Sequence, residues 1–184
     1  MILLLLGLAL WSAAHLMPRL APGLHDRLGR AARPVVAVGV LLGLWLMIRG
    51  YSGWDAAWHW SPPAWTRHLN NLMVLVAVYL YAASGMKTRV AVALRHPQLL
   101  GVTLWAAAHL LVNGHWAALV LFGGLGVWAV VEMAVLNARA PAPETPPPAP
   151  MGREIGAVAG AVVVFILIGL VHGWVGANPF GAMS

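Results

Sequence analysis

Eight histidines stand in a chain of 184 residues that has no cysteine, and two of them hold the same place in a repeated phrase. Residues 7–16 and 101–110 match at seven of ten positions, which keeps Gly7, Trp11 and His15 in step with Gly101, Trp105 and His109. Within each trio the members are four residues apart, so on an α-helix they stack on one face. Both copies lie in runs apolar enough to cross a membrane, where an imidazole is costly and usually functional. Without cysteine there are no thiolate ligands, iron–sulfur clusters or Cys-based zinc sites, which leaves His, carboxylate and Met for a metal. Two imidazoles in one repeated frame are what a haem iron takes as its axial pair. On this reading His15 and His109 ligate the iron and Trp11 and Trp105 lie beside it. Asn113, on the same face of the second copy, orients the ligand. The plain alternative is that each histidine bonds to a neighbouring helix and the short match arises from membrane composition.

The remaining candidates are sorted by position. His68, near Asn70 and Asn71, and His172, between Gly169 and Gly173, form a runner-up pair of intramembrane ligands, a second metal site or a polar substrate site, with ordinary structural histidines as the other reading. His25 and His96 fall in loops on one side of the chain and His59 and His115 beside loops on the other, as surface residues do; His96 with Pro97 is also placed to start a helix. Glu132 is the one acidic residue inside an expected span. An ion pair with Arg139 is its expected use, and a proton relay the alternative. Gly156 and Gly160 have the spacing of helix packing. No P-loop, dinucleotide fingerprint, nucleophile elbow or zinc-protease helix occurs, so a hydrolase or kinase has no support and catalytic residues stay unassigned.

The elements that position these residues follow from composition. Only 9% of residues are charged and 61% are hydrophobic, with a mean hydropathy of +0.80; a soluble domain carries about 25% charge. The fold class is therefore all-α, a polytopic membrane bundle of about six helices over 1–17, 33–49, 66–85, 98–113, 115–136 and 155–175. It reads as one membrane domain over 1–184: helices one to five in 1–136, a Pro-rich linker at 137–154, and helix six with a tail in 155–184. The net charge of +6 does not point to nucleic acid, because the basic residues sit in short loops between apolar runs. Arg19, Arg27, Arg30, Arg33, Lys87, Arg89, Arg95, Arg139 and Arg153 fall on one side, and only Arg49 and Arg67 on the other. The positive-inside rule makes the first side cytoplasmic and turns both termini outward. Tyr51, Trp54, Trp58, Trp60, Trp65, Trp116 and Trp174 then mark the outer interface. The first run has no preceding Lys or Arg, so it reads as a retained helix and not a signal peptide. If the segments around His15 and His109 are related, the chain is an inverted repeat of two three-helix halves, with both imidazoles converging near the midplane.

The run from His96 to Gly114, holding Trp105, His109 and Asn113, resembles the signature of the NnrU family of bacterial membrane proteins, and the early span ending in His15 before Pro18 is similar as well. The resemblance covers essentially the whole chain. It implies a bacterial inner-membrane protein linked to nitrogen-oxide metabolism (denitrification), acting on nitric oxide or beside other membrane redox proteins. The family's plastid relative is 15-cis-ζ-carotene isomerase, which holds haem b through two histidines. By resemblance His109 matches one of those ligands and His15 is the best match for the other. The same relative implies a haem-dependent cis–trans isomerase acting on an apolar polyene or isoprenoid in the lipid bilayer. A haem-free small-solute transporter, with a cavity around His68, Asn71 and His172, or a structural membrane protein, is the reading from another class.

Overall fold

Each of the six apolar runs folds as an α-helix in the computed structural model, which describes residues 1–139, 147, 149–175 and 178–181. The helices are α1 (Ile2–Leu20), α2 (Pro22–Leu28), α3 (Ala32–Ser52), α4 (Thr66–Met86), α5 (Arg89–Ala93), α6 (Pro97–Val112), α7 (Trp116–Arg139) and α8 (Met151–Val175). The protein is an all-α multi-pass membrane protein. Five stretches, α1, Pro22–Ser52, α4, α7 and α8, are long and apolar enough to cross a bilayer. Helix α6 has 16 residues, about 24 Å at 1.5 Å per residue, which is short of a hydrocarbon core of about 30 Å. Large apolar side chains point outward on the long helices, as at Leu41 (65% exposed), Val127 (65%) and Leu170 (60%). Such surface is unfavourable in water and neutral against lipid tails.

Two short helices were not expected. Pro22 opens α2 at a position where its missing N–H costs nothing. The Thr88 hydroxyl accepts from Ala91 N–H (3.4 Å) and caps α5. The linker expected at 137–154 is narrower than that, because α7 runs to Arg139 and α8 starts at Met151. Most of its proline-rich part lies outside the described residues.

The chain divides into two compact units, residues 1–61 with 113–141, and residues 62–112 with 142–184. They are not the two sequential halves suggested by the repeat. Helix α4 packs on α6 and α8 in unit 2, while α7 joins α1 and α3 in unit 1. Small residues set these pairings. In unit 1, a Cβ on Gly7 would lie 2.7 Å from Met47 N and one on Gly43 2.9 Å from Trp11 N, so α1 and α3 touch backbone to backbone and run antiparallel. Leu8 fills the space over Gly124, and the Arg139 guanidinium donates to Arg19 O (2.7 Å), so α7 runs parallel to α1.

In unit 2, a Cβ on Gly101 would lie 3.0 Å from Ala77 O. Asn70, with its amide turned to satisfy both ends, donates to Ala108 O (3.0 Å), which makes α4 and α6 antiparallel. Helix α8 is antiparallel to α4 as well. Met86 lies beside Gly156, and Asn71 Nδ2 at the other end donates to Pro179 O (2.9 Å). Gly160, the second glycine of the expected packing motif, meets nothing within 4 Å. Given these directions, the basic residues of each unit gather at one end of it, apart from Arg49 in unit 1 and Arg67 in unit 2.

Candidate histidine centres

The repeated segment folds the same way twice. His15 Nδ1 lies 2.9 Å from Trp11 O, and His109 Nδ1 lies 2.9 Å from Trp105 O. In both copies the imidazole leans on the tryptophan ring one turn back, at 4.4 Å and 38° in the first and 4.8 Å and 49° in the second. A carbonyl can only accept, so Nδ1 carries the proton and the lone pair stands on Nε2. That is the tautomer in which an imidazole ligates through Nε2 while its other nitrogen is anchored. His172 is held identically, with Nδ1 2.9 Å from Ile168 O.

What faces each copy differs. In unit 1, α7 brings Trp128 against both rings of α1, at 5.5 Å from Trp11 and 4.8 Å from His15. Trp128 is 7% exposed. One turn further along α7 stands Glu132, within electrostatic reach of His15 and Arg19. Trp11 Nε1, Trp128 Nε1 and Glu132 Oε2 are buried with no hydrogen-bond partner among the described residues. Each such group costs about 1–3 kcal/mol. The ion pair expected between Glu132 and Arg139 is not present among the described residues. Arg139 instead reaches Arg19 O in the last turn of α1, where carbonyls have no partner of their own.

In unit 2, the ring facing His109 is another imidazole. The centroids of His109 and His172 are 6.5 Å apart with the planes at 51°. This pairing is absent from the sequence reading, which set His172 beside His68. His68 is exposed in the first turn of α4, and no ring contact joins it to His172 among the described residues. Asn71, the third member of the expected transporter cavity, is engaged with Pro179 O. No group of three or more His, Cys, Asp or Glu residues that could hold a metal occurs among the described residues.

A profile of the family described as NnrU protein matches residues 3–179. The chain belongs to the NnrU family. No curated protein and no solved structure gives a significant match, so in this NnrU protein the roles of the histidines rest on the geometry above. His15 lies in unit 1 and His109 in unit 2. Asn113 follows the last residue of α6, so the helical face bearing Trp105 and His109 ends just before it.

The NnrU chain has one further histidine cluster that sequence reasoning left as surface. The imidazole of His115 accepts from Ala118 N–H at Nδ1 (3.2 Å) and caps α7, and its Nε2–H donates to Tyr51 Oη (3.3 Å). Beside it, His59 N–H donates to Gly114 O (2.6 Å) and Trp116 N–H to Ala57 O (3.1 Å), so the Trp-rich loop closes over the start of α7. Burial pushes the His115 imidazole below its ordinary range. The available signal was His115 directly before a long apolar run, the place of an N-cap.

Proposed function

We propose that this NnrU-family protein binds haem b through His109 and His172. One observation supports the reading: two imidazoles on different helices, both with Nε2 carrying the lone pair, stand 6.5 Å apart. Two neutral imidazole donors at this spacing could hold one metal between them. A porphyrin provides four nitrogens of its own, so two protein donors suffice. That fits a chain without a three-donor cluster among its described residues. When bound, haem iron supplies a place for nitric oxide or a one-electron relay, according to whether one imidazole or none is exchangeable.

The chain's own residues do the rest. Trp105 O and Ile168 O accept the Nδ1 protons, which fixes both ring planes. The Trp105 ring leans on one side of His109 and keeps water from it. Gly101 lets α6 lie close on α4 and holds the ligand's helix in place. The physiological setting that this supports is nitrogen-oxide metabolism in the bacterial inner membrane, with nitric oxide as ligand or a membrane redox protein as partner. Redox-gated isomerisation of a polyene or isoprenoid drawn from the lipid is the enzymatic form of the same site.

His15 has the same locked tautomer as His109, and this favours a second reading in which His15 and His109 are the pair, as the repeat suggests. Absorption and electron paramagnetic resonance of the purified protein separate the two. Stoichiometric haem b with a bis-imidazole signature is the expected result. In the leading reading the signature is lost in His109→Ala and His172→Ala and kept in His15→Ala. Loss in His15→Ala with retention in His172→Ala would establish the second reading. A colourless protein that takes up no added haem would overturn both.

A further inference from the structure

At the end of unit 2 away from most of its basic residues, the short segment Asn178–Gly181 folds back over α8. One side chain sets its shape. Asn178 Oδ1 accepts from the N–H groups of Phe180 and Gly181 (both 3.0 Å), which closes a tight turn. The Phe180 ring settles on Gly169, where any Cβ would overlap it, and meets Phe165 edge-on at 5.6 Å and 74°. One turn along α8, a Cβ on Gly173 would lie 3.9 Å from Asn178 Cγ. Two donors four residues apart on α4 hold the segment from the other side. The Arg67 guanidinium donates to Gly181 O, and Asn71 Nδ2 donates to Pro179 O (2.9 Å). This accounts for Arg67, the basic residue of unit 2 that stands apart from the others. The contacts at Gly169 and Gly173 bracket His172 along the helix, and Phe165, Gly169 and His172 share a face at steps of four and three. The segment therefore lies beside the imidazole that faces His109.

We infer that Asn178–Gly181 is a strap over the approach to the His109–His172 pair from this end of unit 2. The Phe180 ring is its plug, and a small neutral ligand reaches the pair when the strap lifts. The ties suit release. They are two side-chain hydrogen bonds to backbone carbonyls and one ring that is still 49% exposed. The Arg67 guanidinium meets a carbonyl and not a carboxylate, so no ion pair locks the strap down. It can open while α4, α6 and α8 stay packed, as lids on rigid scaffolds do. The strap itself stands on the contacts of Phe180, Arg67 and Asn71; its bearing on ligand entry rests on the reading of His109 and His172 as the haem ligands.

The chain has no cysteine, so His172→Cys carries a single thiol at the centre. Its reaction with a neutral maleimide, on the full-length protein in lipid nanodiscs, measures access. Adding Phe180→Ala or Arg67→Gln should raise the rate about tenfold, because labelling follows the open population. Phe165→Cys, beneath the plug, gives the same comparison without touching either histidine. Equal rates with and without the Phe180 ring at both thiols would overturn the strap. With both histidines intact, carbon monoxide binding to the reduced haem should also quicken about tenfold in Phe180→Ala, at unchanged haem content. Faster labelling with an unmoved carbon monoxide rate would overturn the part assigned to ligand entry. The strap and the haem fail separately. Labelling that responds to Phe180 in a protein without haem keeps the strap and rejects the haem, and unresponsive labelling in a protein whose wild type carries haem does the reverse.

Discussion

The two copies of the Gly–Trp–His segment are the same object in two settings. Each puts an imidazole on the tryptophan of the preceding turn and fixes its tautomer through the same 2.9 Å contact to a backbone carbonyl. Yet His15 meets an indole, with the Glu132 carboxylate one turn further along the same helix, while His109 meets another imidazole. Local sequence thus prepares a histidine with its lone pair on Nε2, and the facing helix decides what that lone pair is for. Opposite an imidazole the site suits a metal, because two neutral nitrogen donors can share one cation. Opposite Trp128 it meets an indole, whose nitrogen can only donate and offers no lone pair to a metal.

Removing the facing group in unit 2 breaks the comparison most sharply. His172→Phe keeps a ring of similar breadth against His109 and takes away only the second donor. Haem retention should fall roughly 100-fold or more, beyond the 10–100-fold typical of losing an outer-shell partner. A haem titration followed at the Soret band measures it. The corresponding change in unit 1, Trp128→Phe, should leave haem affinity within about threefold of wild type, a difference of about 0.7 kcal/mol or less. Equal losses in both variants would mean that the two settings are not chemically separate.

The glycines of the two copies sharpen the same contrast in packing. A Cβ at Gly7 would lie 2.7 Å from Met47 N and 2.8 Å from Gly43 O, backbone atoms of α3 that cannot step aside, whereas one at Gly101 would lie 3.0 Å from the backbone Ala77 O and 3.1 Å from the Tyr81 ring, so a shift of a few tenths of an ångström and a turn of the ring accommodate it. Gly7→Ala should therefore destabilise the protein by about 1–3 kcal/mol, as overpacking does, and Gly101→Ala by about 1 kcal/mol or less. Gly160→Ala, with open space around it, should be neutral or slightly stabilising through helix propensity. Thermal unfolding in detergent ranks the three. A larger loss at Gly101 than at Gly7 would overturn the packing argument.

What could be read in advance follows from the range of the interactions involved. The six apolar runs were legible because burial in lipid acts on every residue of a helix, and α4 was placed to within one residue at its end. The tautomer-fixing contact was implicit in Trp11–His15 and Trp105–His109, since four-residue spacing on a helix is purely local. Helices α2 and α5 escaped because, at seven and five residues, both are far shorter than a membrane span; their marks were Pro22 at a helix start and Thr88 as a cap. The partners of the histidines were not legible. Which helix faces α6 is a tertiary fact, and the 62 residues between His109 and His172 say nothing about it. Glu132 shows the same limit. Arg139 two turns away looked like its counter-ion, but the unpaired carbonyl of Arg19 competed for the guanidinium and won.

The smallest effect expected concerns a histidine that belongs to neither copy. His115 caps α7 through Nδ1 only while it is neutral, because protonation puts a hydrogen where Ala118 N–H now donates. Its folded-state pKa lies below the ordinary value, for which burial is the cause. The unfolded chain therefore binds the proton first as the pH drops. The stabilisation is complete above the usual histidine pKa of about 6.5 and is lost as the pH falls through the lower, folded-state value. The imidazole is partly solvated, so the effect should sit near the low end for a cap, about 0.5 kcal/mol. It should appear as a lower unfolding temperature at pH 5 than at pH 7.5. His115→Asn supplies a cap that does not titrate and should flatten this component without touching haem in unit 2. If the variant keeps the whole pH dependence, the acid sensitivity does not arise at this cap, and the start of α7 is held by the closing Trp-rich loop instead.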